Sequence, residues 1–169
     1  MALSDDAPSA SAGANETPAE LELQAAGVTY NLSPHVDGAR TLVEFAARSG
    51  LRPSQVIKSL LLDVDGGRQA MLLLPGDREA YFTARSVRMA DRDRVEAITG
   101  YRIGTVTPLA LRTAGLPVLL EEASLAETLV SIGTGVAGRH IRLSPPDLVH
   151  ALGAKTGAFS RRPANPQHT

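Results

Sequence analysis

The 169-residue sequence has no cysteine and no tryptophan, and aromatic residues make up only 4% of it. Without cysteine there is no disulfide, no thiolate nucleophile and no cysteine-based metal site. With so few aromatic rings, a stacking platform for long single strands of nucleic acid is not expected. No apolar run approaches the ~20 residues of a membrane span. The opening Met-Ala-Leu-Ser-Asp-Asp lacks the basic region and apolar run of a signal peptide, so a cytoplasmic protein is expected. A strong charge of either sign is missing too. The net charge of −1 excludes the strongly basic composition of a DNA binder, although a local basic patch is compatible with that sum. No internal repeat and none of the familiar metal or phosphate-loop spacings occurs, so neither a metal nor a cofactor is expected. Lysine is scarce: Lys58 and Lys155 stand against 15 arginines.

What remains is ordinary for a globular chain, with 43% hydrophobic and 21% charged residues and enough length for one domain with a real core. Residues 1–20 are rich in Ala, Ser and Pro without an apolar period and read as a disordered tail. The expected domain is 21–158, and 159–169 reads as a polar C-terminal tail.

The chain is organised around the stretch Leu51 to Gly76. Pro53 suits the first turn of a short helix. Lys58 to Val64 has strand composition, Gly66-Gly67 suits a two-residue hairpin turn, and Gln69 to Leu74 returns as the partner strand. Before it, a helix is expected from Leu21 to Ala26, a strand from Val28 to Leu32, and an amphipathic helix from Ala39 to Ser49. After it, Arg78 to Ala84 is ambiguous with a leaning to helix. Ser86 to Ala90 reads as a strand, and Asp91 caps a helix to Thr99 that Gly100 stops. Leu116 to Leu120, Leu129 to Ile132 and Ile141 to Leu143 read as strands. Ser144-Pro145-Pro146-Asp147 is a helix start with a capping box, and that helix ends near Gly153. Short strands and helices without a βαβ rhythm indicate an α+β domain around a mixed sheet.

One residue breaks its local pattern. Alternation puts Lys58 on the same strand face as Leu60, Leu62 and Val64. Two readings of this lysine stand at this point: a strand-end ammonium reaching back to water, or a compact charge directed into a cleft. Gly104 and Pro108 frame a turn, and Gly133-Thr134-Gly135 forms a small-residue loop. Both would let a ligand approach the backbone closely. His35 in its loop is either a ligand contact or simply exposed.

The order of these pieces resembles the YbaK / prolyl-tRNA synthetase-associated family of aminoacyl-tRNA editing domains. Gln55-Val56-Ile57-Lys58-Ser59-Leu60 is similar to that family's Q-[VI]-x-K-[TS]-L strand. Met89-Ala90-Asp91, Thr99-Gly100-Tyr101, Gly104-Thr105-Val106-Thr107-Pro108, Leu116-Pro117-Val118, Gly133-Thr134-Gly135 and Ser144-Pro145-Pro146-Asp147-Leu148 follow in the family's order, across roughly residues 28–153. The resemblance implies a mixed, largely antiparallel, barrel-like sheet with flanking helices. It implies hydrolysis of the ester linking a wrong amino acid to tRNA, in trans, with tRNA for proline bearing a small residue such as alanine or cysteine as the expected target. It places Lys58 as the key catalytic lysine. Tyr30, His35, Gly104, Thr107, Pro108, Gly133, Thr134, Gly135 and His140 become candidate substrate contacts. The implied partners are the aminoacyl-tRNA 3′ end and a prolyl-tRNA synthetase or elongation factor. Gly133 stands where many members have serine, His140 where some have aspartate, and the segment between Asp77 and Met89 is shorter than usual. A binding module of the same fold without catalysis is therefore the alternative.

Overall fold

The computed structural model describes residues 16–83 and 86–164; the greater part of the expected N-terminal tail and the last five residues lie outside them. In chain order the elements are α1 (Pro18–Ala25), β1 (Asn31–Leu32), α2 (Leu42–Arg48), a 3-10 turn (Pro53–Gln55), β2 (Ile57–Val64), β3 (Arg68–Pro75), β4 (Glu79–Ala80) and β5 (Val87–Met89). There follow α3 (Arg92–Thr99), β6 (Val118–Glu121), a second 3-10 turn (Glu122–Ala126), β7 (Val130–Gly133), β8 (His140–Leu143), α4 (Pro145–Leu152), β9 (Lys155–Gly157) and β10 (Ser160–Arg161).

The α+β class stands, and most strand pairings are antiparallel. The described strands form three sheets, in the orders β5-β2-β3-β6-β9, β1-β8-β7 and β10-β4, and none of them closes into a barrel. The β3–β6 and β6–β9 pairs are parallel. A parallel bridge between Val56 and Ser131 joins the two larger sheets.

The β2–β3 hairpin runs from Ile57 opposite Pro75 to Val64 opposite Arg68. Its turn has three residues rather than two. The positive φ angles fall on Asp65 (45°) and Gly66 (70°), one place earlier than the glycine pair suggests; an Asp tolerates this left-handed region better than most side chains. Alternation sorts the hairpin's side chains as expected. Ile57, Met71 and Leu73 join the main core with Val118, Leu120, Ile132, Ile141 and Leu148. Leu62, Leu72 and Leu74 form a second cluster on the other face, against Leu60, Val64, Phe82 and Phe159. The sheet is thus buried on both faces, which a chain with helices and loops on each side can sustain.

Both tails are shorter than expected among the described residues. Helix α1 starts at Pro18, because Thr17 and Glu20 close a capping box: the Glu20 amide donates to Thr17 Oγ1 (3.3 Å) and the Thr17 amide to Glu20 Oε2 (2.8 Å). Ala19 and Leu23 are then fully buried. At the other end, the Phe159 amide donates to Glu121 Oε2 (2.7 Å) and β10 pairs with β4. Within Arg78 to Ala84, read as ambiguous with a leaning to helix, residues 79–80 form this β4, since pairing with a distant strand overrides local propensity, and Ala84 lies outside the described residues. Helix α4 begins as expected, with the Asp147 amide donating to Ser144 Oγ (3.2 Å). No helix among the described residues is long and apolar enough to cross a membrane.

Candidate active site

A cavity of about 530 Å³ opens beside β2, within the size range of small-molecule sites. Strand β5 pairs only with Leu62–Val64 of β2, so the stretch before it is a sheet edge at the cavity. The Ala90 amide donates to the Leu61 carbonyl on that side (2.9 Å). The two-residue period of the ladder turns the Ser59 backbone N–H and C=O the same way, toward the cavity. Residues 57–61 form this wall. Residues 39–42, Val36 and Phe45 come from α2 and its lead-in, Met89, Ala90 and Val95 from β5 and α3, residues 103–106 from the turn after α3, and Gly133, residues 135–138 and His140 from the β7–β8 connection.

Five expected site residues meet here: Lys58, Gly104, Gly133, Gly135 and His140. Lys58 Nζ donates to the Arg78 carbonyl oxygen. Burial lowers its pKa, opposed by the nearby Asp77 and Glu79 carboxylates. This ammonium is part-buried and bonded to a backbone carbonyl instead of reaching only to water. His140 stacks on Phe45 with ring centroids 3.9 Å apart, and its Nδ1 lies 3.3 Å from Ser131 Oγ. Burial pushes its pKa down to about 4, so it meets a ligand as a neutral hydrogen-bonding ring at pH 7.

The glycines differ in what holds them. Gly104 has φ +95° with open space where a side chain would be. Gly133 has open space too and no positive φ, so nothing steric demands glycine there. At Gly135 (φ +88°) an added Cβ would sit 2.3 Å from Tyr101 Cε1. That ring is fixed by its hydroxyl, which donates to the Leu109 carbonyl (2.9 Å).

The other five expected contacts do not line the cavity. Thr134 is buried beneath the wall; its Oγ1 donates to the Arg139 carbonyl (3.1 Å) and accepts from the Val136 amide (3.4 Å). Thr107 and Pro108 are buried behind the 103–106 turn, where Thr107 Oγ1 accepts from the Leu109 amide. Tyr30 packs on the main core and its hydroxyl accepts from Gln24 Nε2 (3.0 Å). His35 is exposed, 2.6 Å from Asp37 Oδ1, and packs behind Gly138.

Sequence reasoning missed Arg40, Met89, Ile103 and Val136. The last three are large apolar side chains about half exposed on the cavity rim. Ile103 beside the Gly104 turn was the one local signal. Among the described residues, no acid lines the cavity, and its charged side chains are Arg40 and Lys58. Among the described residues, no cluster of His, Asp and Glu is placed to hold a metal ion.

A mixed sheet with a cleft built on a strand lysine and glycine turns defines the class of protein. The family of aminoacyl-tRNA editing domains matches residues 36–151, and the chain belongs to that family. Among particular relatives, it is 30% identical to the proline–tRNA ligase of Desulfovibrio desulfuricans over 112 residues, covering 62% of this chain and 19% of that one. It is 29% identical to the proline–tRNA ligase of Geobacillus kaustophilus over 133 residues, covering 75% of this chain and 21% of that one. The chain thus spans about a fifth of the length of these curated relatives. The solved structure of the hypothetical protein APE2540 superposes with a TM-score of 0.77 at 28% identity, covering 84% of this chain and 98% of that one. A candidate trans-editing enzyme for prolyl tRNA synthetase gives a TM-score of 0.72 at 24% identity, covering 87% and 99%, and shares the fold.

Proposed function

We propose that this chain hydrolyses the ester of a mischarged tRNA in trans, and that its substrate is tRNA for proline carrying a small amino acid such as alanine or cysteine. The observation that carries the reading is the cavity itself, in which Lys58, the strand-edge backbone at Ser59 and the glycine-rich turns at Gly104 and Gly135 surround one space.

An aminoacyl ester is already activated, so the reaction needs a placed water and stabilisation of the developing oxyanion rather than a covalent nucleophile. Water attacks the carbonyl carbon. The bond to the ribose oxygen breaks, that oxygen regains a proton, and the amino acid leaves as a carboxylate. A neighbouring ribose hydroxyl orients the water. Backbone N–H groups of the strand edge and glycine turns donate to the oxyanion. Lys58 exchanges the Arg78 carbonyl for a substrate oxygen, which its flexible four-carbon stem permits. His140 acts as a neutral hydrogen-bonding ring. Thr107, Pro108 and Thr134 shape the turns from behind, and His35 supports Gly138 from outside the cavity. The need for such a site is physical: a synthetase pocket separates amino acids differing by one methylene by only about 1–3 kcal/mol. A synthetase or elongation factor as delivering partner follows from the chain's small net charge, because phosphate contacts dominate tRNA affinity.

The test is deacylation of tRNA for proline carrying alanine, cysteine or proline, and of tRNA for alanine carrying serine. Wild type should clear one mischarged species. Lys58→Ala should slow that by about 10²–10³-fold, the scale of losing one transition-state contact, with an unchanged circular dichroism spectrum. Full activity in Lys58→Ala would remove the role given to this lysine. The Lys58–Arg78 contact and the empty side-chain space at Gly133 favour a second reading, a binding module without turnover. That reading predicts binding of an aminoacyl-adenosine analogue with no hydrolysis of any acylated tRNA in the panel.

A further inference from the structure

Among the described residues, the cavity is lined by two cations with different surroundings. Lys58 is satisfied: its ammonium donates to the Arg78 carbonyl, and the Asp77 and Glu79 carboxylates act on it. Arg40 is not. Its backbone N–H donates to Glu44 Oε2 (2.9 Å), which pins the main chain at the cavity rim. The other oxygen of that carboxylate, Oε1, is taken by Arg48. Both oxygens of this nearby acid are therefore used, and neither by the Arg40 guanidinium.

Among the described residues, no carboxylate lies within ion-pair distance of the exposed Arg40 side chain; Arg78, Arg92, Arg102, Arg112, Arg142 and Arg162 share this, but of these arginines Arg40 alone lines the cavity. None of the described acids lines the cavity to supply an opposite charge. A guanidinium held by its backbone at the edge of a largely apolar cavity offers a planar fork of donors. Such a fork fits the paired oxygens of a phosphate.

We infer that Arg40 is an anion-binding residue of this cavity and takes the phosphodiester on the 5′ side of the terminal ribose of the acylated RNA. The ownership of the phosphate rests on the deacylase reading above; the anion subsite rests on the charges alone. Arg40 would then anchor the nucleotide while Lys58 and the glycine turns face the ester.

The test compares binding of adenosine, adenosine 5′-monophosphate and inorganic phosphate to the full chain by titration calorimetry at low salt. Wild type should bind the monophosphate about tenfold more tightly than adenosine, the scale of a charged hydrogen bond. Arg40→Ala should lose that preference yet keep the affinity for adenosine, which also reports that its fold is intact. Arg68→Ala, which removes the same charge at the hairpin turn, should keep the preference. A preference that survives Arg40→Ala, its absence in wild type, or phosphate alone competing as well as the monophosphate would overturn the inference. On a hydrolysed tRNA, Arg40→Ala should raise KM and leave kcat. If no acylated tRNA is hydrolysed but the monophosphate preference still depends on Arg40, the deacylase reading falls and the subsite stands.

Discussion

The β2–β3 hairpin and the 133–140 segment both border the cavity, yet they are held in different ways. The hairpin has eight paired positions in register and apolar clusters on both faces, and Leu72, Leu73 and Leu74 are wholly buried. Many small contacts share its support. The 133–140 segment is held by a few backbone bonds, within itself from the Thr134 amide to the Arg139 carbonyl and from outside by the Val36 and Ser33 amides, which donate to the Gly138 and His140 carbonyls. Tyr101 packs on Gly135 and His35 on Gly138. Arg139 Nη2 in turn donates to Glu20 Oε1 (2.7 Å), in the first turn of α1. Burial raises the Glu20 pKa, but the hydrogen bonds from Arg139 and Thr17 and the Arg139 charge bring it below its ordinary value. Helix α1 lies outside the span matched by the family, yet it holds the connection that carries Gly135 and His140. One wall is redundant and tolerant of drift; the other is specified contact by contact.

The sharpest way to break this contrast is Leu72→Ala in the hairpin. It should cost about 2–5 kcal/mol, the range for an emptied core leucine site, measured by urea unfolding. Deacylation by the fraction that stays folded should be nearly unchanged. A loss of activity larger than the loss of folded protein would show that the hairpin wall is not redundant.

Next in size is the effect of pH on His140, the last residue of the second segment, which stacks on Phe45 of α2. Its pKa falls from 6.5 to about 4 on folding. Between these values the unfolded chain binds a proton that the folded chain does not. Stability therefore falls as the pH drops through this window and is level above it, by up to about 3 kcal/mol. Urea unfolding at pH 7 and pH 4.5 should show a loss in wild type that is smaller in His140→Leu. Equal losses in the two proteins would contradict the burial of this ring.

The smallest expected effect on stability is that of Gly135→Ala, where a Cβ meets the Tyr101 ring at 2.3 Å on a backbone with φ +88°. Overpacking of this kind costs about 1–3 kcal/mol. Because Gly135 lines the cavity, activity should fall further than stability. Replacing Tyr101 with leucine in the same chain should relieve the clash and recover part of the activity; no recovery would place the defect elsewhere.

The hairpin was legible because alternation along one strand is a local property, and it also put Lys58 on the correct face. Helix α4 was legible from Ser144, Pro145 and Asp147, which act within one turn. Pairing of β4 with β10 was not legible, because its partners are about 80 residues apart. Four of the five expected contacts that sit behind the walls share one cause. His35, Thr107, Pro108 and Thr134 are close chain neighbours of residues that line the cavity, but a motif does not say which of its residues faces inward, and Tyr30 belongs to a stretch that contributes nothing to the lining. Arg40 was missed for a related reason. Its importance lies in the charges that do not reach it, and only the packing of α2 reveals that Glu44 is already occupied.

Taken alone, the sequence determined the α+β class, the hairpin, the strand lysine and the family, since each depends on residue order and local periodicity. The tertiary structure decided that the sheets stay open, which loop residues reach the cavity, that Lys58 is engaged and that Arg40 is not. Those outcomes depend on contacts between segments distant along the chain, and a local pattern carries no record of what meets it from afar.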